Sequence, residues 1–174
     1  MTEEAEFSVT QTRGNVEFRV YPRLVLASVT VNGDFETAPN YGFRPLVQYI
    51  SGDNVGATKL AMTAPVMHVA KSDTSHVISF VLPRETSNVP TPRRQELSTH
   101  TLDNLTVAAV RFIGTWKESR ARRVESDLRA MLAEWKISFV GDAMFARYDP
   151  PWKPGFLRRN EILIPIDAAT IPRP

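Results

Sequence analysis

The chain predicts an α+β fold of two pattern-related β-α-β-β units, each laying one helix on a largely antiparallel, strongly twisted sheet. The halves repeat one order of patterns when laid over each other at an offset of roughly 81 to 86 positions. LVLASVTVNG (Leu24 to Gly33) and LTVAAVRFIG (Leu105 to Gly114) each read as a strand and a turn, leading through Phe35 or Trp116 toward a helix. In both halves a proline-containing strand follows the helix, Met62 to Val69 or Ala143 to Trp152. A strand ending in proline closes each unit, VISFVLP at Pro83 and EILIP at Pro165.

The first helix is expected over about Phe43 to Ser51. Phe43, Leu46, Val47 and Ile50 fall at i, i+3, i+4 and i+7, Gly52 supplies a stop, and Pro45 belongs near the first turn. The second is expected over about Trp116 to Ile137, with Val124, Leu128, Met131, Leu132 and Trp135 on one face. Thr115 and Glu118 have capping-box spacing. Glu118 with Arg122 and Glu125 with Arg129 are i,i+4 pairs, so the RARR run reads as a solvated helix face. Lys71 to Ser75 and Arg84 to Arg94 read as loops. Residues 1–14 are expected as a loose tail, 15–167 as one domain and 168–174 as a carboxy-terminal tail.

Composition bounds the function. The 174 residues are 43% hydrophobic and 23% charged, enough for one ordinary core and an internal pocket. Cysteine is absent, which removes disulfides, thiolate metal sites and thiol nucleophiles. Twenty-one basic against nineteen acidic residues leave +2, too little for a phosphate-tracking surface, so no nucleic acid is expected. The start MTEEAEFSVTQTRGN has neither the basic opening nor the apolar run of an export signal, and no apolar stretch reaches membrane length; a cytoplasmic protein off the membrane is expected. There is no HExxH, GxSxG or glycine-rich phosphate loop, so enzyme chemistry has no motif here.

A series of short segments arrives in order: VEFRVYP (Val16 to Pro22), YISGDN (Tyr49 to Asn54), MTAPV (Met62 to Val66), FVLP, VPTP, ARYDPPW and RRNEI. In that order, over roughly Val16 to Ile166, they resemble the SOUL/haem-binding-protein family. The resemblance implies a distorted β-barrel flanked by two helices that binds haem or an iron-free porphyrin, for buffering, transport or sensing. It carries the macrocycle cleft onto Phe43, Leu46, Val47 and Ile50, a stripe that from the residues alone is equally a core face. Arg44, Lys153, Arg158 and Arg159 flank the stripe and the aromatic turn and are the candidate propionate partners; Arg158 and Arg159 equally read as structural ion pairs with Asp149 or Glu161. Gln48 is neutral where family members can carry lysine.

Iron ligation is constrained by the histidines, His68, His76 and His100. Relatives that ligate through a histidine ahead of the helix turn have no counterpart, because none precedes His68. His68 is the remaining candidate, although a lone strand histidine is more often hydrogen-bonded. The same duplicated fold resembles effector-binding domains of multidrug-responsive regulators, in which a buried late-strand glutamate meets cationic apolar ligands. That alternative places the pocket at Glu161 with Tyr148 and Trp152. An iron-releasing or hydrolytic enzyme on this scaffold would have only Glu161 or His68 as a titratable group.

Overall fold

A computed structural model describes residues 2–173. The strands are β1 (Glu3–Glu4), β2 (Ser8–Arg13), β3 (Val16–Asn32), β4 (Thr63–Ala70), β5 (Ser75–Val81), β6 (Leu97–Ile113), β7 (Met144–Arg147) and β8 (Arg159–Pro165); the helices are α1 (Ala38–Ile50) and α2 (Glu118–Glu134). Both halves run β-α-β-β, as β3-α1-β4-β5 and β6-α2-β7-β8. Six strands close into an antiparallel barrel in the order β4-β5-β3-β6-β8-β7, with β7 returning to β4. The α+β class, the barrel and its two flanking helices are therefore as expected. Closure leaves the barrel no free edge between its long strands, β3 and β6, which pair from Val16↔Val110 to Val29↔Leu97.

Alternation along the strands sends side chains to two buried destinations. Tyr21, Leu26, Met67, Val107, Met144 and Leu163 fill the barrel interior. Outside it, Val16, Phe18, Phe145, Ile162 and Ile164 pack under Leu128 and Leu132 of α2, and Val25, Val29, Ile78 and Phe80 pack under Leu46, Tyr49 and Ile50 of α1. Both faces of β3 and β8 are thus covered, which places Glu161, Leu163 and Pro165 inward and Ile162, Ile164 and Ile166 toward α2.

Several boundaries differ from expectation for physical reasons. Residues 3–13 are not a loose tail: β1 runs parallel to β4 and β2 pairs antiparallel with β3. Phe7 anchors the link between them, its ring 5.3 Å from that of Tyr21. At the other end, residues 168–170 form a turn of 3₁₀ helix capped by Asp167, and Ile171 packs on the core under α2; Pro174 lies outside the described residues.

α1 begins at Ala38, five residues before the expected start, because the Asp34 carboxylate accepts from the Thr37 amide at 2.8 Å and sets up the turn into Pro39. Pro45 is therefore inside the helix, not in its first turn. α2 lacks the Thr115–Glu118 capping box; its N-cap is Lys117, and the Glu118 amide donates instead to the Glu36 carboxylate at 3.3 Å. The expected ion pairs form at 3.5 Å for Arg122–Glu118 and 3.0 Å for Arg129–Glu125. The proline-containing strand at β4 carries a bulge between Thr63 and Val66, where Pro65 removes a ladder donor. The second such strand keeps only Met144–Arg147, and Pro150 and Pro151 lie in the turn beyond it.

Candidate functional site

The α1 stripe divides between core and surface. Leu46 and Ile50 are buried against β3 and β5, so they are core residues and not an open cleft. The helix lies so close to the sheet that a Cβ added at Gly42 would stand 2.6 Å from the Ile78 Cβ. What remains available is the shoulder of the helix. Phe43 is 42% exposed, leaning edge-on against Phe80 with centroids 5.4 Å apart, and Val47 is half-buried one turn further on. Leu60 and Val66 are likewise half-buried at the margin of this cluster, and Arg44 is exposed beside Phe43.

The carboxy-terminal cations are structural ties. Lys153 pairs with Asp149 at 2.9 Å, and the Asp149 carboxylate also accepts the Arg159 amide at 2.6 Å. Arg158 donates from Nε to the Lys153 carbonyl at 2.8 Å and from Nη2 to the Pro151 carbonyl. Arg159 pairs with Glu4 of β1 and lies 4.3 Å over the Tyr148 ring. These three residues hold the 149–159 turn rather than converge on the α1 shoulder. The expected Asp149 contact exists, but through the amide of Arg159 and the ammonium of Lys153.

His68 is 1% exposed, under Phe35 at a centroid separation of 4.5 Å. One chain of hydrogen bonds fixes its tautomer. The Gly33 carbonyl only accepts, so His76 donates to it from Nε2 at 3.1 Å; His76 Nδ1 then accepts from His68 Nε2 at 2.9 Å. His68 Nδ1 is left as a buried lone pair without a partner. Burial first, then the positive charge of Arg147, push its pKa down to about 3. A lone pair sealed among Phe35, Trp116 and Phe145 has no room for a porphyrin iron, so His68 does not fit the role of axial ligand.

The barrel interior corrects the alternative pocket. Glu161, 1% exposed, is gripped by Arg19 in two bonds of 2.7 and 2.9 Å and accepts from Tyr148 Oη at 2.7 Å and Arg111 Nε at 3.1 Å. Its structural partner is Arg19, not Arg158 or Arg159. Burial alone would raise the Glu161 pKa, but the bonds from Arg19 and Tyr148 outweigh it and hold the carboxyl below its ordinary value. Burial likewise resists charge on Arg19, and Glu161 wins, raising that pKa. Burial raises the Tyr148 hydroxyl. A cationic ligand would find this carboxylate already neutralised, and Trp152, 84% exposed on the outer turn, takes no part in the pocket.

Among the described residues, a cleft of about 400 Å³ opens into the barrel, lined by Leu26, Met67, Val69, Leu102 and Met144, with His100 and the Lys71–Asp142 ion pair also on its wall. Alternation could have marked these side chains as inward, but not that the space between them stays open. No helix of the described residues is long and apolar enough to cross a membrane.

Comparison with known proteins bears on both fold and family. The fold is shared with the C-terminal domain of EcmrR (TM-score 0.67, 14% identity, 87% of this chain and 96% of that one). It is shared also with a hydrolase from Listeria innocua (TM-score 0.60, 11% identity, 91% and 94%). Heme-binding protein 1 of Xenopus laevis is 30% identical over 155 residues, covering 84% of this chain and 80% of that protein. Residues 2–165 match the family described as SOUL heme-binding protein, and with the barrel, the flanking helices and the ordered motifs this match makes the chain a member of the SOUL haem-binding family.

Proposed function

We propose that this protein binds a haem-type tetrapyrrole non-covalently against the shoulder of α1, by packing rather than by iron ligation. The observation that carries the reading is Phe43, a large aromatic left 42% exposed beside half-buried Val47, with Arg44 next to it. Family membership and the likeness to a haem-binding protein support the ligand class. The sealed His68 supports binding that does not depend on iron.

Packing alone sets the strength. About 400 Å² of apolar surface, counted over both partners, at ~25 cal/mol per Å² gives roughly 10 kcal/mol gross. Association costs about 4 kcal/mol or more, leaving ~6 kcal/mol, a dissociation constant of tens of micromolar. Such affinity suits buffering, transport or sensing better than permanent cofactor holding. Haem iron, when bound, supplies the redox chemistry; the residues of this chain bind and orient the macrocycle.

Titration with haemin and iron-free protoporphyrin, followed at the Soret band, tests this. Saturable one-to-one binding of both is expected, weakened at least tenfold in Phe43→Asp and spectrally unchanged in His68→Phe. Absence of saturable binding by either porphyrin refutes the reading.

A further inference from the structure

We infer that Arg147 and Trp116 form a carboxylate-binding site on the outer face of the barrel, between the end of β7 and the loop that enters α2. Arg147 makes no side-chain hydrogen bond and no ion pair among the described residues, and its Nε and Nη2 are buried without partners. Those nitrogens form one edge of the guanidinium, the edge that meets both oxygens of a carboxylate side-on. Trp116 Nε1 is a third buried donor without an acceptor, and the guanidinium carbon lies 4.1 Å over the Trp116 ring. Stacking holds the arginine in place and leaves its donor edge unspent.

The local charge asks for an anion. The charge of Arg158 acts on Arg147, whereas Arg122, over Phe35 and Phe145 in the same aromatic cluster as Trp116, is already paired with Glu118 and Glu125. Glu36 is the acid whose charge favours Arg147, yet its oxygens are engaged by the Glu118 amide at 3.3 Å and Lys117 Nζ at 3.5 Å. Burial, then Arg158, lowers the Arg147 pKa to about 9, so the group is still a cation at neutral pH. A half-buried cation whose sealed donor edge meets no acceptor is costly, and an acceptor-only, two-oxygen anion removes that cost. Neutral His68 beside Trp116 adds no competing charge.

Two sources share this chemistry. Val66, at the margin of the α1 cluster, is the cross-strand partner of Arg147, so one source is a propionate of a macrocycle on the α1 shoulder; this source rests on the tetrapyrrole reading. The other is a free organic acid.

The test uses sodium acetate against sodium chloride at equal ionic strength, reading the Trp116 indole N–H resonance, assigned through Trp116→Phe, and the melting temperature. Saturable acetate-specific changes are expected in wild type, lost in Arg147→Met and weakened about tenfold in Arg147→Lys, which keeps the charge but not the fork. Without acetate, Arg147→Met melts about 2–4 °C higher, because the uncompensated charge is gone. Protoporphyrin and its dimethyl ester separate the sources. A preference for the free acid that disappears in Arg147→Met assigns the carboxylate to the macrocycle, and an acetate response without that preference assigns it to a free acid. If no porphyrin binds, the acetate arm decides alone. An acetate response that persists in Arg147→Met, or neither an acetate response nor an acid-over-ester preference in wild type, overturns the site.

Discussion

Replacing Glu161 with glutamine removes one charge and almost no volume from the inside of the barrel, and the geometry fixes what should follow. The carboxylate accepts four bonds, from Arg19 Nη1 at 2.7 Å, Arg19 Nη2 at 2.9 Å, Tyr148 Oη at 2.7 Å and Arg111 Nε at 3.1 Å. An amide keeps one acceptor oxygen and turns the other position into a donor facing a donor. Arg111 is half exposed and counts for little, but Arg19 is 1% exposed and is left as a buried cation whose remaining carboxylate contact is Glu17 at 2.7 Å. Breaking a buried pair from one side costs about 3–5 kcal/mol, against a typical total stability of about 5–15 kcal/mol. At about 2–4 °C per kcal/mol for a chain of this size, the melting temperature should fall by roughly 6–20 °C. Urea unfolding at pH 7 gives the free energy directly. The double variant Arg19→Met with Glu161→Leu should recover most of the loss, since apolar replacement of a buried pair is often near neutral. The pH dependence follows from the depressed Glu161 pKa: its contribution is fully present above the ordinary carboxylate range and is lost as pH falls through the lower folded value. Glu161→Gln should flatten that acid limb. A Glu161→Gln protein within 1 kcal/mol of wild type at pH 7 would refute the reasoning.

His68 gives a second acid signature: its folded pKa of about 3 lies below the unfolded value near 6.5, so stability should decline as pH drops below about 6.5, by up to ~1.4 kcal/mol per pH unit. Urea midpoints between pH 7 and 5 should show that slope in wild type and its loss in His68→Phe; an equal slope in both would contradict the sealed, neutral imidazole. Gly42→Ala should destabilise by about 1–3 kcal/mol despite alanine's better helix propensity, because the new methyl would meet Ile78 Cβ and Cγ1 at 2.6 and 2.7 Å. A neutral or stabilising result there, read by thermal unfolding, would mean that α1 does not sit so tightly on β5.

Local pattern made the order of elements legible and left the barrel's closure unread. Period-2 alternation in LTVAAVRFIG and EILIP, and the i, i+3, i+4 spacing in both helices, are properties of neighbours in sequence, and the elements appear in the order they give, with α1 starting five residues early and α2 and β7 shorter than expected. The amino-terminal strands escaped because β2, SVTQTR, is polar on both faces and is held by pairing with β3 and by Phe7, neither of which is a local signal. Alternation in VEFRVYP separates Glu17, Arg19 and Tyr21 from Val16, Phe18 and Val20 but carries no sign that a barrel closes over the first set, which is how Arg19 comes to be among the most buried side chains.

The same closure explains why the two functional readings fared differently. Glu161 was visible as a carboxylate opening an apolar strand, but its partner Arg19 lies 142 positions away and is joined to it through the pairing of β3 with β6 and of β6 with β8. With that partner in place the interior carboxylate is spent, and the cationic-ligand reading loses its anchor. On the outside the balance is reversed. Lys153, Arg158 and Arg159 look available in sequence and are held by the 149–159 turn and by Glu4, whereas Arg147, inside ARYDPPW but given no role there, keeps an unused donor edge. A cation's availability depends on which acceptors the folded chain brings to it, and here it leaves the least conspicuous arginine as the one equipped to hold an acid.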